Sequence, residues 1–529
     1  MPERREALGR RSARTFSVLT LGRLFSLLVG IASVIIIARM LGPAEYGIYT
    51  LAFGFYALVS ATGNFGFGVY LAKYLAEYED ARNGKMFGSA LTSSFLSVAA
   101  IGAALMIAGI LASGYVAGLF PGSNSSASIF VIASVAMFFS MLYGTSDYAM
   151  IGMGKNAAAV VMETGENLVL IVASVLLIQG GFGAAGAMYG LLISYVVAGV
   201  LGTLYVFKES VRQMHIKLGL PSMAEVKHSF RYSMPVAANN ALSNGIIGFG
   251  TLLLGAFVTS SVLGNYGIAN KARGTLALFY TTAAMTFLPA LSISVARDAG
   301  KKGEKEGGRL ERVYNKVLLY SMMLTVPMMV YIAVFAMPLT YLFITHAFIS
   351  APLYLTLMAA GTIVGLIGTY TANLFMAVGK TTKLLHYSVI SAAVQLVALV
   401  ALTAAWSTIG NIVALFFIGS LVSNWLLIRG AKKSLGVSLH YGKLLRTFAS
   451  NAVLAAALVP GLLIHSLPLE LAYGAAVTAA AYPVLLVLFR VIDKEEIGIL
   501  SRSTAGLKAL GAIANPVIGY FNALMRYLQ

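Results

Sequence analysis

An all-α polytopic membrane protein of about 14 transmembrane helices is what this sequence predicts, on three observations. The first is charge: 11% of the 529 residues are Asp, Glu, Lys or Arg, while 59% are hydrophobic. A soluble domain carries roughly 25% charged residues, so this chain cannot coat a soluble surface of its size. The second is run length. Apolar stretches such as Phe25–Ile37, Leu168–Ile178 and Leu396–Ala405 belong to segments of about 20 mostly apolar residues, the length that crosses a hydrocarbon core about 30 Å thick. The third is where the basic residues fall. Of the 37 Lys and Arg, all but Arg23, Arg39, Lys271 and Arg273 lie in alternate inter-span segments, as the positive-inside rule requires. A wrong span count would scramble that alternation.

The expected spans run over about 15–40, 45–72, 87–113, 127–150, 157–178, 183–207, 230–256, 262–295, 314–337, 352–377, 384–405, 408–428, 446–465 and 469–490. Turn signals such as Pro121–Gly122–Ser123–Asn124 and Gln179–Gly180–Gly181 separate them. An even count puts both termini on one side, and the basic residues make that side the cytoplasm. The N-tail 1–14 holds five arginines and resembles a signal-peptide n-region. The apolar segment behind it is too long for an h-region and shows no small-residue cleavage site, so it reads as a retained first span. Segments 73–86, 208–229 and 297–313 are expected cytoplasmic loops, the last a solvated helix of mixed charge. Residues 491–529 are too interrupted to span. Leu500, Leu507, Leu510 and Ile513 with Lys508 predict an interfacial amphipathic helix there.

An internal repeat shows in the sequence. Leu41–Gly42 leading to Tyr46–Gly47 is matched by Leu263–Gly264 leading to Tyr266–Gly267, and Met153–Gly154–Lys155 by Val378–Gly379–Lys380. Both Gly-Lys pairs fall between the fourth and fifth spans of a half. Two six-helix bundles follow, an N-terminal lobe over 15–207 and a C-terminal lobe over 230–428, joined by a linker 208–229. Six spans each make them parallel repeats about an axis along the membrane normal. Helices 13 and 14, over 446–490, are an appendix.

Composition also excludes functions. With no cysteine, a disulfide framework and a Cys-based zinc or iron–sulfur site are ruled out. The six histidines are isolated and lack metal-ligand spacing, so neither metal nor cofactor is expected. The net charge of +18 is spread through short loops, which disfavours nucleic acid as a partner. Gly379–Lys380–Thr381 has the tail of a P-loop, but Leu374 stands where its first glycine is required. No Asp-x-Asp pair occurs, which disfavours a glycosyltransferase or polymerase.

The opening span with its inner arginine, Thr20–Leu21–Gly22–Arg23–Leu24, followed by Ala38–Arg39–Met40–Leu41–Gly42–Pro43–Ala44–Glu45–Tyr46–Gly47, resembles the polysaccharide-biosynthesis flippases. These include the O-antigen, teichoic-acid and archaeal-glycan transporters of the multidrug/oligosaccharidyl-lipid/polysaccharide superfamily. In the second half Asn265 follows Leu263–Gly264 directly, a departure from the motif. The resemblance implies a V-shaped pair of bundles and a secondary transporter. Its cargo would be a polyprenyl-diphosphate-linked oligosaccharide, flipped across the plasma membrane from the cytoplasmic to the outer leaflet. It also implies cationic cavity residues on spans 1 and 8. Glycan-assembly enzymes are candidate partners, and a monomer is the expected working unit.

A charge inside a membrane costs about 2.5–3.5 kcal/mol on insertion scales and usually marks a pathway. Arg23 lies about 12 Å into span 1 at 1.5 Å per residue, and Lys271 and Arg273 lie on span 8. Their repeat partners are Ser243, Leu51 and Phe53, so the scaffold itself requires no charge at those positions. Guanidinium groups grip phosphate oxygens bidentately, which suits Arg23 and Arg273 to a diphosphate; structural ion pairing is the alternative. Two residues apart is about 200° on a helix, so Lys271 and Arg273 are expected to share one cavity only if the helix bends. Glu163 and Glu166 share one face of span 5. One of them is expected either to pair with Arg23 and take a proton or to form a permanent ion pair. Asn239, Asn240 and Asn244 on span 7 fit sugar hydroxyls and interhelical hydrogen bonds equally. Arg39 reads as an interface anchor or a partner of Glu45, and Asp147 as interfacial. Asn64, Asn270, Asn373, Gln395 and Asn424 read as packing residues, and Tyr46, Tyr49, Phe53 and Tyr56 as belt or core.

The closest competing function is a cation-coupled drug antiporter of the same superfamily. Such a carrier needs a net negative cavity, whereas Arg23, Lys271 and Arg273 stand against Glu163 and Glu166, which favours an anionic cargo. A scramblase or a non-transporting scaffold stays open.

Overall fold

The computed structural model describes residues 2–62, 65–120, 127–214, 221, 223–274, 308–492 and 519. Its helices are α1 (Pro2–Val59), α2 (Phe67–Asp80), α3 (Gly84–Gly118), α4 (Ala127–Gly152), α5 (Asn156–Leu177), α6 (Gly183–Met214), α7 (Met223–Gly255) and α8 (described over 260–274). They continue with α9 (Gly308–Val334), α10 (Ala336–Phe343), α11 (Ala351–Ala377), α12 (Thr381–Ile412), α13 (Gly419–Leu435), α14 (Tyr441–Leu458) and α15 (Leu467–Leu488). No strand occurs among the described residues. The expected helices over 297–313 and in the C-terminal tail lie outside the described residues, apart from the first turn of α9.

Nine helical stretches among the described residues are long and apolar enough to cross a membrane. Three of them contain a break where the sequence predicts a reversal between spans. α1 breaks at Gly42 (φ 66°), and α5 gives way to α6 through Gly181 (φ 88°) and Gly183 (φ 51°). α12 breaks at Trp406 and Ser407 (φ 47°). Glycine enters positive φ without a Cβ penalty; at the third break Ser407 does so with a side chain. With α7 and α8, the arrangement is consistent with fourteen crossings.

The repeat is visible in matching contacts. Lys155, in the Gly-Lys turn before α5, reaches Glu209 near the end of α6 at 2.7 Å. Lys380, in the turn before α12, donates to the carbonyl of Ser434 near the end of α13 at 2.5 Å. Lys380 stands to Lys155 as Ser434 stands to Glu209, 225 residues on in both cases. Each turn ties the fourth and fifth helices of its half to the sixth, and marks what we call the basic end.

At the opposite end the two halves pack without space. The second arm of α1 lies between α7 and α8, and glycine makes the approach possible. A Cβ on Gly47 would run into the carbonyl of Ser260, one on Gly264 into that of Pro43, and one on Gly267 into Thr50. The repeated Tyr-Gly motifs therefore pack on one another across the seam. A single apolar core joins the halves here, with Tyr46, Leu51, Leu254, Leu263 and Phe348 buried together. Asn265, the departure in the second repeat, accepts the backbone N–H groups of Ser350 and Ala351 at 3.0 and 2.9 Å and so caps α11. The GxxxG spacings carry close packing too: Gly190 abuts Ser174, and Gly365 abuts Ser420.

At the basic end, one flank of the seam is closed by α2 and α7. Phe67 meets Phe230 edge-on with centroids 5.1 Å apart, and buried Tyr70 donates to Glu225 at 2.6 Å. The appendix α14–α15 seats Leu454, Leu458 and Leu486 with Leu319 and Phe335. Its leading loop is tied down by Asn315, which donates to the carbonyl of Ser438 and accepts the N–H of His440.

The glycine seam is testable by substitution. Gly264→Val is expected to destabilise by about 1–3 kcal/mol, the usual range for overpacking, read as a lower Tm in detergent. Gly442→Ala, where a Cβ meets open space, should leave Tm unchanged.

Candidate functional site

The charges of α8 organise the interior. The helix runs unbroken over 260–274, and Lys271 and Arg273 diverge from it. Lys271 lines a cavity of about 190 Å³ in the first half, with Ser26, Gly30, Glu163, Glu166, Asn167 and Tyr195 among its walls. Arg273 lines a cavity of about 390 Å³ in the second half. Both then border a third space of about 360 Å³ between the halves, walled by Tyr49, Thr50, Phe53 and Thr251. Two long side chains two residues apart thus border one chamber.

Each cation meets an aromatic ring. Lys271 Nζ lies 4.4 Å from the centroid of the Phe53 ring, and its charge interacts with that of Glu166. The Arg273 guanidinium lies 4.5 Å over Phe416 and donates through Nη2 to Asn270 Oδ1 at 3.2 Å. Phe416 belongs to a π-helical turn, Val413–Ile418, whose displaced backbone is met from α12. Gln395 Nε2 donates to the Leu415 carbonyl at 2.9 Å and Ser391 Oγ to that of Gly419 at 3.3 Å. Irregular turns of this kind are frequent at functional sites.

The remaining predicted residues separate by helix face. Glu163 and Glu166 both line the first-half cavity, and Ser194 donates to Glu166 Oε1 at 3.0 Å. Arg23 interacts electrostatically with Asp147, and Glu166 with Lys271. Arg23 is exposed and lies outside the walls of all three cavities. It stands one turn before Ser26 on the same face, toward the basic end. Asp147, expected at the interface, is half-buried and also interacts with Glu163. Of the three asparagines, Asn239 lines the cavity of Arg273, where Ser388 donates to its Oδ1 at 3.3 Å. Asn240 is half-buried and Asn244 exposed, and neither belongs to these walls. Arg39 donates to the carbonyls of Leu342 and Ile344 at 2.7 and 2.8 Å at the end of α10. Glu45, expected as its partner, accepts the N–H of Ala184 at 2.8 Å instead. Asn64 lies outside the described residues.

Two groups were read only as packing or missed. Tyr46, Tyr49 and Phe53 line the first-half cavity in a ladder that continues through Tyr56 to Tyr195, with centroids 5.3–6.2 Å apart. The second-half cavity carries Thr369, Asn373, Ser388, Gln395, Ser423 and Asn424, with no carboxylate among the described residues. Asn424 Oδ1 is buried with no hydrogen-bond partner among the described residues. The spacing of Ser388, Ser391 and Gln395 on α12 is the helical stripe that could have revealed this wall.

This is a chamber between two related bundles, with cations where they meet. Residues 12–295 match the family described as polysaccharide biosynthesis proteins. The chain belongs to that family. It is similar to the probable low-salt glycan biosynthesis flippase Agl15 of Haloferax volcanii, 21% identical over 402 residues, or 76% of this chain and 80% of that protein. Among solved structures it resembles the lipid II flippase MurJ in an inward closed conformation, with TM-score 0.70 and 15% identity, covering 89% of this chain and 99% of that one. It also resembles an inward-facing multidrug resistance MATE transporter of the MOP superfamily, with TM-score 0.61 and 17% identity, covering 77% and 92%. The fold of this family member is the one these two solved structures show.

The absence of cysteine makes the chamber directly mappable. Asn167→Cys and Ser388→Cys, half-buried at the two inner cavities, are expected to react with a small water-soluble thiosulfonate. Leu51→Cys, fully buried, should stay unlabelled under the same conditions.

Proposed function

We propose that this family member is a flippase for a lipid-linked anionic oligosaccharide. In this reading it carries a polyprenyl-diphosphate sugar from the cytoplasmic to the outer leaflet of the plasma membrane by alternating access. One observation carries the reading: α8 directs Lys271 into one half and Arg273 into the other, and both border the space between. A diphosphate held there meets a point charge on one side and a planar fork of donors on the other. The flippase name of the Haloferax relative and that of the MurJ neighbour support the same class.

The sugars have a chemically suitable wall beside the charge. Asn239, Asn373, Ser388 and Asn424 offer amide and hydroxyl partners next to Arg273, and the tyrosine ladder offers stacking faces on the other side. Arg23 and Asp147, toward the basic end, serve as an entry pair. With the basic end cytoplasmic, moving two negative charges outward through about 100 mV, inside negative, releases up to about 4.6 kcal/mol. The membrane potential alone then suffices to drive export.

Flux of a defined lipid-diphosphate sugar in liposomes tests this. A charge-assisted contact is worth about 1.5–3 kcal/mol, so Arg273→Ala and Lys271→Ala should each lower flux by about ten- to a hundredfold. Asn240→Ala, away from the cavity walls, should stay within about twofold. Unchanged flux in both cation variants rejects the proposal.

A further inference from the structure

Glu166 and Lys271 belong to different halves, on α5 and α8, yet line the same cavity of about 190 Å³. Their charges act on one another. Glu166 Oε1 is steadied by Ser194 of α6 at 3.0 Å, and Lys271 Nζ lies 4.4 Å over the Phe53 ring of α1. A lysine withdrawn from water needs a compensating anion, and an aromatic face offsets only part of that cost. Among the walls of this cavity the carboxylates are Glu163 and Glu166. Glu163 is exposed and acts on Asp147, whereas Glu166 is half-buried and acts on Lys271.

We infer that Glu166 is a displaceable counter-anion: it neutralises Lys271 while the chamber is empty, and an anionic cargo must take its place to be held. The inference rests on the proposed function. A phosphate reaching Lys271 brings the charge that Glu166 already supplies, so cargo and carboxylate compete for one ammonium. The apparent affinity of the chamber is then reduced by the fraction of molecules in which Lys271 is engaged by Glu166. Two consequences follow. Lipids with no net charge to offer cannot displace the carboxylate, so Glu166 acts as a specificity determinant against uncharged lipid. Because the two groups sit on opposite halves, displacing Glu166 also loosens an electrostatic tie between the bundles.

A double-mutant cycle on the full chain in detergent separates this from the cargo assignment. Without ligand, Glu166→Gln and Lys271→Met should each lower Tm, and the double variant should lower it by clearly less than the two together. Additive shifts overturn the inference whatever the cargo. The binding probe is a short isoprenyl-diphospho-N-acetylglucosamine. Glu166→Gln should bind it about tenfold more tightly than the parent chain, and in the Lys271→Met background the same change should alter affinity by less than about twofold. Equal or weaker binding by Glu166→Gln, or the same gain without Lys271, overturns the inference. No binding by parent or Glu166→Gln, with Tm coupling intact, rejects the diphosphate cargo and the displacement with it. Should Lys271→Met fail to fold, Lys271→Arg, which keeps the charge, must preserve the tightening by Glu166→Gln.

Discussion

A cation withdrawn from water into a helix bundle has to be compensated, and in this protein two such cations sit on one short stretch of α8. Lys271 is met by the Phe53 ring and the charge of Glu166, Arg273 by Phe416 and Asn270. Neither residue has a charged equivalent in the first repeat, where Leu51 is fully buried and Phe53 serves as the platform for Lys271. The asymmetry between otherwise matching halves is thus concentrated where the chamber lies. An arriving phosphate offers each cation a charge-assisted contact that an aromatic face does not.

That arrangement depends on the position of α8, and glycine sets it. Gly47, Gly264 and Gly267 let the second arm of α1 and α8 meet backbone to backbone, which closes the molecule at the end away from the Gly-Lys turns. The cavities fill the space just inside this contact. The same repeat that supplies the Tyr-Gly motifs for the closed end supplies the Gly-Lys turns for the other. There Lys155 and Lys380 bind the sixth helix of each half by different chemistry at equivalent places. Rocking one bundle against the other, the motion expected of parallel repeats, would open the first contact without disturbing the second.

Much of this was legible in the sequence because membrane folding has few options. Apolar runs and alternating basic loops reveal the helices, and a lone charge in an apolar run stands out, as Lys271, Arg273, Glu163 and Glu166 do. Direction was harder to read. Asn239, Asn240 and Asn244 look equivalent on paper, yet the first lines the cavity of Arg273 and the other two do not, since helix rotation is set by packing and not by local pattern. Arg23 has the depth of a cavity residue but stands on the outward side of Ser26. The stripe Tyr46, Tyr49, Phe53, Tyr56 was readable as one face, though nothing in it said whether that face meets protein or open space. Gln395 and Asn424 read as packing because polar residues in apolar helices usually serve it, and here they also line a cavity with Ser388.

The central claim is that α8 offers one anion two cations from opposite sides. An experimental structure of the full chain with a short-chain lipid-diphospho-sugar bound would test it most directly. The account predicts phosphate density between Lys271 and Arg273, within hydrogen-bonding reach of both, with the sugar toward Asn239 and Ser388. Phosphate bound elsewhere, with Lys271 still facing Glu166 and Arg273 still on Asn270, would contradict it.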